Sequence, residues 1–221
     1  MTAATNYHWF ISSLPHMPRS FDVERVPISR IRLQERLRML GDDDKNTVEQ
    51  VQRFLLWDRQ LPERTDEDVQ MEYDRLMSSV SNPLVRDIIT YRMDVRTITS
   101  ALRRRRLGFG PPTAVGQYVD HIRKHWNHSD FRLQREHPWI SGVREALDAS
   151  KPLSVERQLL NATWDRWVKL SDGFYFSFDT ILLYLARWEI VDRWTRLDES
   201  AGRQKFENLL AQTMASGGGI K

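Results

Sequence analysis

His121 and His125 stand at the two ends of HIRKH, a spacing that brings two imidazoles to one helical face and that zinc-dependent hydrolases use to hold their metal. That chemistry needs a carboxylate base directly after the first histidine, where Ile122 stands, and a third ligand, which no neighbouring residue supplies. Hydrogen-bonded or exposed histidines are expected instead. Asp42, Asp44 and Asn46 imitate the opening of a calcium loop, but Thr47 fills the position that requires glycine and Arg53 the position that requires a bidentate glutamate. The sequence GFGPP from Gly108 lacks the Lys-Ser/Thr step of a phosphate loop and reads as a helix stop. With no cysteine and no GxSxG elbow, an activated nucleophile has no evident home. The expectation is a protein without catalytic residues, metal, cofactor or small-molecule substrate.

The sharpest polar feature is the run Arg103, Arg104, Arg105 and Arg106. Together with Arg96, Arg123 and Lys124 it forms the candidate interaction site. Three readings are open for it: a phosphate clamp with Trp126 as a base-stacking aromatic, a solvated cationic helix end, or a contact with an acidic protein or lipid surface. No recognised nucleic-acid module accompanies the run, which counts against the first.

Helices must position these groups. Ile31, Leu33, Leu37 and Leu40 predict a first helix within Pro27 to Leu40, before Gly41. Thr47 and Gln50 have capping-box spacing for a second, with Val48, Val51, Phe54 and Leu55 as its stripe. Asp66 is the expected cap of a third carrying Val69, Tyr73, Leu76 and Val80. Asn82 and Pro83 open the clearest one, whose stripe runs through Leu84, Ile88, Tyr91, Val95, Ile98 and Leu102 to the arginines. A shorter helix is expected from Ala114 to Trp126, a polar connection to Glu136, then a helix opened by Pro138 and Trp139. Leu153, Leu160, Trp164, Trp167 and Leu170 mark another face. Ser177 can cap the next helix, with Phe178, Ile181, Leu182, Leu185 and Trp188 as its stripe, and Asp198 a last one with Phe206, Leu209, Leu210 and Met214. Asn6 to Leu14 fits helix or strand and is read as helix, while the glycine-rich 216–221 is expected to be a flexible tail.

The 221 residues, 40% of them hydrophobic, suffice for one substantial core, expected as a single helical domain over 1–215, or for two helical lobes at 1–110 and 111–215. Eight Trp, nine Phe and six Tyr supply large apolar faces, most of which helical spacing assigns to the core. Absence of cysteine fits a reducing compartment, so a cytoplasmic location is expected, and no window reaches the roughly 18 apolar residues of a membrane span. The net charge is only +3, yet Asp42 to Asp74 carries eleven acids against four bases, and Arg92 to Arg135 ten bases against three acids. Such polarity can steer a docking partner.

Four segments, YHWFISSLP from Tyr7, NPLVRDIITYRMDVRTITSALRRRRLG from Asn82, SDFRLQREHPWI from Ser129 and FSFDTILLYLARWEIVDRWTRLDESAGRQKF from Phe176, resemble a bacterial family of unknown-function proteins associated with V/A-type ATPases. That family is similar, more distantly, to the C-type stalk proteins of archaeal-type rotary ATPases, called d in eukaryotes. The resemblance implies an all-α, multi-helix bundle like that of the C-type proteins. It would act as a non-catalytic central-stalk adaptor between the rotating shaft and the membrane ring of c-type subunits during proton or sodium transport. Such a chain is cytoplasmic and peripheral on the inner face of the membrane as part of a complex. The C-type proteins are longer and built of three lobes, and no functional residue is carried over from them. A transient assembly factor of the ATPase and a basic nucleic-acid-binding module are the alternatives.

Overall fold

The computed structural model describes the backbone of residues 3–55, 65–112 and 116–217, and the side chains of residues 7–52, 65, 67–112 and 116–197. Among these residues the protein is all-α. Its helices are α1 (Ala3–Ser13), α2 (Arg30–Leu37), α3 (Asp42–Leu55), α4 (Asp66–Ser79), α5 (Pro83–Arg106), α6 (Val119–Lys124), α7 (Ile140–Asp148), α8 (Pro152–Ser171) and α9 (Phe178–Gly217).

Two compact units divide the chain. One is continuous, Leu40–Arg166, and the other joins Met1–Met39 to Trp167–Lys221. The division therefore falls elsewhere than at residue 110, because the chain after α5 folds back: Ile98 and Leu102 of α5 share a core with Ile122, Phe131, Ile140, Val143 and Leu147.

In the continuous unit, α5 is contacted by α3, α4, α6 and α7. Every residue of its expected stripe is buried, and so are Val85, Ile89, Met93 and Ala101 on its other sides. A helix enclosed this fully must also bury polar groups, here Asp94, Thr97 and Thr99. Asn82 caps it, accepting from the Val85 N–H at 3.0 Å, with Pro83 in the first turn.

In the second unit, α9 buries Ile181, Leu182, Leu185, Trp188, Val191 and Trp194. A buried indole needs an acceptor for its N–H. Trp188 Nε1 donates to the Ile28 carbonyl at 2.8 Å and Trp194 Nε1 to Asp22 Oδ1 at 3.0 Å, so both tie the irregular 14–29 segment to α9. Arg30 adds a 2.6 Å ion pair with Asp192 and lies over the Trp188 ring at 4.9 Å. Ser177 accepts from the Thr180 N–H at the start of α9, as its spacing predicts.

Several boundaries differ from expectation. Thr65, not Asp66, caps α4, because Thr65 and Asp68 exchange reciprocal side chain to backbone bonds of 3.1 and 2.9 Å. Helix α3 starts at Asp42, so Thr47 lies inside it and donates to the Asp43 carbonyl at 2.9 Å, while three aspartates occupy the first turn, where the helix dipole favours them. Ile31 is 71% exposed although Leu33 on the same short helix is buried. Asp198 opens no new helix: α9 continues through it to Gly217, since only Gly202 weakens that stretch, by about 1 kcal/mol relative to alanine. Ser216 and Gly217 thus belong to α9 and not to a tail. Helix α6 is shorter than expected, and the expected positions Ala114, Phe54, Leu55, Phe206, Leu209, Leu210 and Met214 lie outside the described side chains. Trp9 and Tyr175, at 73% and 76% exposure, are exceptions to aromatic burial.

Candidate interaction site

Helix α5 ends in a left-handed cap. Gly108, at φ 75°, donates its N–H to the Arg105 carbonyl at 3.0 Å, and Phe109 donates to the Arg104 carbonyl at 2.9 Å. Four consecutive arginines before this stop step around the helix by about 100° each, so their guanidinium groups fan out instead of forming one patch. Arg104 Nε turns to the Gly110 carbonyl at 2.9 Å, with its guanidinium over the Phe109 ring. Arg105 bonds the His128 carbonyl and lies over the Phe131 ring at 5.8 Å, which pins the 127–131 connection to α5. Arg106 donates to Ser150 Oγ at 2.5 Å, and Arg103 is exposed.

Arg103 and Arg106 meet the junction of α7 and α8. Helix α7 closes with Ser150 donating to the Leu147 carbonyl and Lys151 to the Ala146 carbonyl, both at 2.9 Å, and this cap holds Ser150 at φ 55°. Helix α8 follows at once, its first backbone bond running from Val155 N–H to the Lys151 carbonyl at 3.1 Å. The result is a cavity of about 250 Å³. Arg103, Arg106, Ser150, Lys151, Pro152 and Glu156 line it together with Ala146, Leu147 and Val155, the last three buried core residues. Three cations against one carboxylate face it, and α8 turns its positive dipole end to the same place. Lysine at the cap offers no acceptor to the first-turn N–H groups. Chemically this suits an anion that carries an apolar part.

The other candidate residues are not gathered there. Arg96 is half-buried along α5, Arg123 pairs with Asp120 at 3.6 Å, and Lys124 is exposed on α6. His121 and His125 do approach, with ring centroids 4.6 Å apart, but His121 Nε2 is taken up at 3.0 Å by the Phe131 carbonyl, and His128 Nε2 accepts from Arg132 at 3.2 Å. No group of three metal-ligating side chains occurs among the described residues. Partial burial, and then the positive surroundings of His121, Arg132 and Lys124, hold His125 below the usual histidine range. Trp126 lies flat on Phe131, centroids 5.4 Å apart and half-buried, so one of its faces serves the core.

Residues 63–217, which contain α4 to α9 and every residue lining the cavity, match the family described as Protein of unknown function (DUF2764). The chain belongs to this family. Neither the curated proteins nor the solved structures include a match to it.

This DUF2764 chain also buries a polar layer that sequence reading missed. Asp94 Oδ2 accepts from Gln117 Nε2 at 2.8 Å, whereas Oδ1 is buried with no hydrogen-bond partner among the described residues. Burial pushes the carboxyl up to about 6, against the hydrogen bond from Gln117 and the positive charge of Arg166. Tyr118 donates to Glu136 at 2.9 Å and is raised to about 12 by burial and by that bond. His137, buried beside them, is held below its usual range by desolvation. Arg166 reaches Asp87 at 2.6 Å and covers the Tyr91 ring at 4.6 Å. The spacing carried a signal for Asp94: it falls between Tyr91 and Ile98, on the apolar side of α5. Ser150, Lys151 and Glu156 were equally absent from the candidate residues, though a lysine and a proline at a helix start are a readable sign of an uncapped end.

Proposed function

We propose that this DUF2764 chain is a non-catalytic adaptor that docks an acidic partner surface through the end of α5. Its partner assembly, on this reading, is a V/A-type rotary ATPase, in which it joins the central shaft to the membrane c-type ring during proton or sodium transport. The observation that carries the docking reading is the cavity at the α5, α7 and α8 junction, where Arg103, Arg106 and Lys151 surround an apolar lining. Support for the ATPase comes from the four resembling segments, two of which hold the arginine run and the start of α9. Among the described residues no helix is long and apolar enough to cross a membrane, which agrees with attachment through a partner. Nucleic-acid binding is less well supported, since Trp126 is stacked on Phe131 and Arg104 and Arg105 are engaged with neighbouring carbonyl groups.

Affinity purification of the ATPase from cells that make both proteins tests the proposal. The chain is expected to co-purify, and exposed cationic contacts predict that rising salt strips it off. Constant stoichiometry marks a permanent component, and substoichiometric recovery marks an assembly factor. Complete absence from an intact complex sinks the ATPase reading.

A further inference from the structure

We infer that the cavity at the α7–α8 junction captures the carboxyl-terminal residue of a partner chain, an inference that rests on the docking reading but not on the partner being an ATPase. An α-carboxylate carries its charge two bonds from its own side chain, which matches a site whose cations and apolar surface are immediate neighbours. Arg106 is already oriented there by its 2.5 Å bond to Ser150 Oγ, and Arg103, one turn earlier on the same face of α5, is exposed. Paired guanidinium groups suit a carboxylate's two oxygens. Lys151 adds a third cation at the start of α8, where the first-turn N–H groups and the helix dipole favour an anion. Ala146, Leu147, Pro152 and Val155 supply the apolar surface.

Size and charge narrow the occupant. At about 250 Å³ the cavity is smaller than the roughly 300–1,000 Å³ of drug-sized sites, and suits one residue. An inorganic phosphate would leave the apolar lining against water. Glu156, the one acid of the lining, disfavours a multiply charged group more than a single carboxylate. Capture of a chain terminus by backbone N–H groups and nearby cations is a recurring mode of peptide recognition.

The test is a titration of the ¹⁵N-labelled full chain with N-acetyl-L-leucine, followed by amide shifts. Saturable shifts centred on Ser150 to Val155 are expected, with a dissociation constant on the order of 1 mM for so small a ligand. N-acetyl-L-leucinamide, which lacks the charge, is expected to bind at least tenfold more weakly. The double variant R103Q/R106Q, read alongside its melting temperature, is expected to lose at least tenfold in affinity. K151Q is a second reading, placed on a different element in case the first variant fails to fold. Absence of saturable shifts overturns the inference, as does equal binding of the amide. Inorganic phosphate or octanoate binding as tightly as N-acetyl-leucine, at the same amides, assigns the site to a phosphate or an acyl chain and overturns it too. A chain that binds N-acetyl-leucine yet is absent from the purified ATPase fails only the ATPase reading. One that co-purifies with a silent cavity fails only this inference.

Discussion

Asp94 carries the clearest physical consequence of any single residue here. Its side chain lies in the wall of α5 with one oxygen bonded to Gln117 and the other unpartnered among the described residues, and burial moves its pKa from 3.8 to about 6. A native carboxyl with a raised pKa binds more protons than the unfolded chain does between those two values. Its contribution to stability is therefore full below 3.8 and is lost as pH rises through about 6, an effect on the order of 1–3 kcal/mol. His137 runs the other way: its depressed native pKa contributes stability above the usual 6.5 that is lost as pH falls. Asp94→Asn separates the two, because it removes the charge and keeps an oxygen for Gln117. The variant is expected to melt several degrees above the parent at pH 8 and to converge with it near pH 4. A melting-point difference that does not change between those pH values would show that Asp94 does not carry the buried charge.

At the scale of elements, the return from α5 to α6 depends on Gly116. Its φ of 107° is open to glycine and strained for other residues, and an added Cβ would stand 2.6 Å from Thr97 Oγ1 on the buried side of α5. Gly116→Ala is expected to cost roughly 2–4 kcal/mol in urea denaturation, and less in a Thr97→Ala background, where the clash is relieved but the backbone strain persists. Equal costs in both backgrounds would mean that the turn shifts away from α5. The same scale shows what was legible beforehand. The period of α5 was, because Leu84, Ile88, Tyr91, Val95, Ile98 and Leu102 fall on one side at helical spacing and all six are buried. Caps were less so: threonine and aspartate are both cap formers by chemistry, and only the reciprocal bonds between Thr65 and Asp68 show which residue caps α4, while Asp198 has the chemistry of a cap inside the continuous α9. The arginine run was legible as charge but not as geometry. The 100° step divides it, and Ser150, Lys151 and Glu156 join Arg103 and Arg106 only because α7 packs on α5.

For the whole molecule, the division of the chain sets how it should fold. Residues 40–166 form one compact unit from a single stretch, whereas the other unit needs 1–39 and 167–221 together. The acidic run 42–74 and the basic run 92–135 both belong to the continuous unit, so the polarity written along the sequence is internal to one body. That unit is in the size range that sustains its own core, and its contacts centre on α5. A fragment of residues 40–171, which carries α8 to its end, is therefore expected to unfold cooperatively in urea, to give a dispersed amide spectrum, and to keep the N-acetyl-leucine response. The complementary truncation 1–171 removes Trp188, Asp192 and Trp194, the partners of Ile28, Arg30 and Asp22. Its first 39 residues should lose amide protection while 40–166 keep theirs, since half of a two-segment unit cannot offset its own ordering entropy. Protection retained in 14–37 without α9 would contradict the two-segment assembly. A non-cooperative 40–171 fragment would show that the continuous unit depends on the chain ends for its stability.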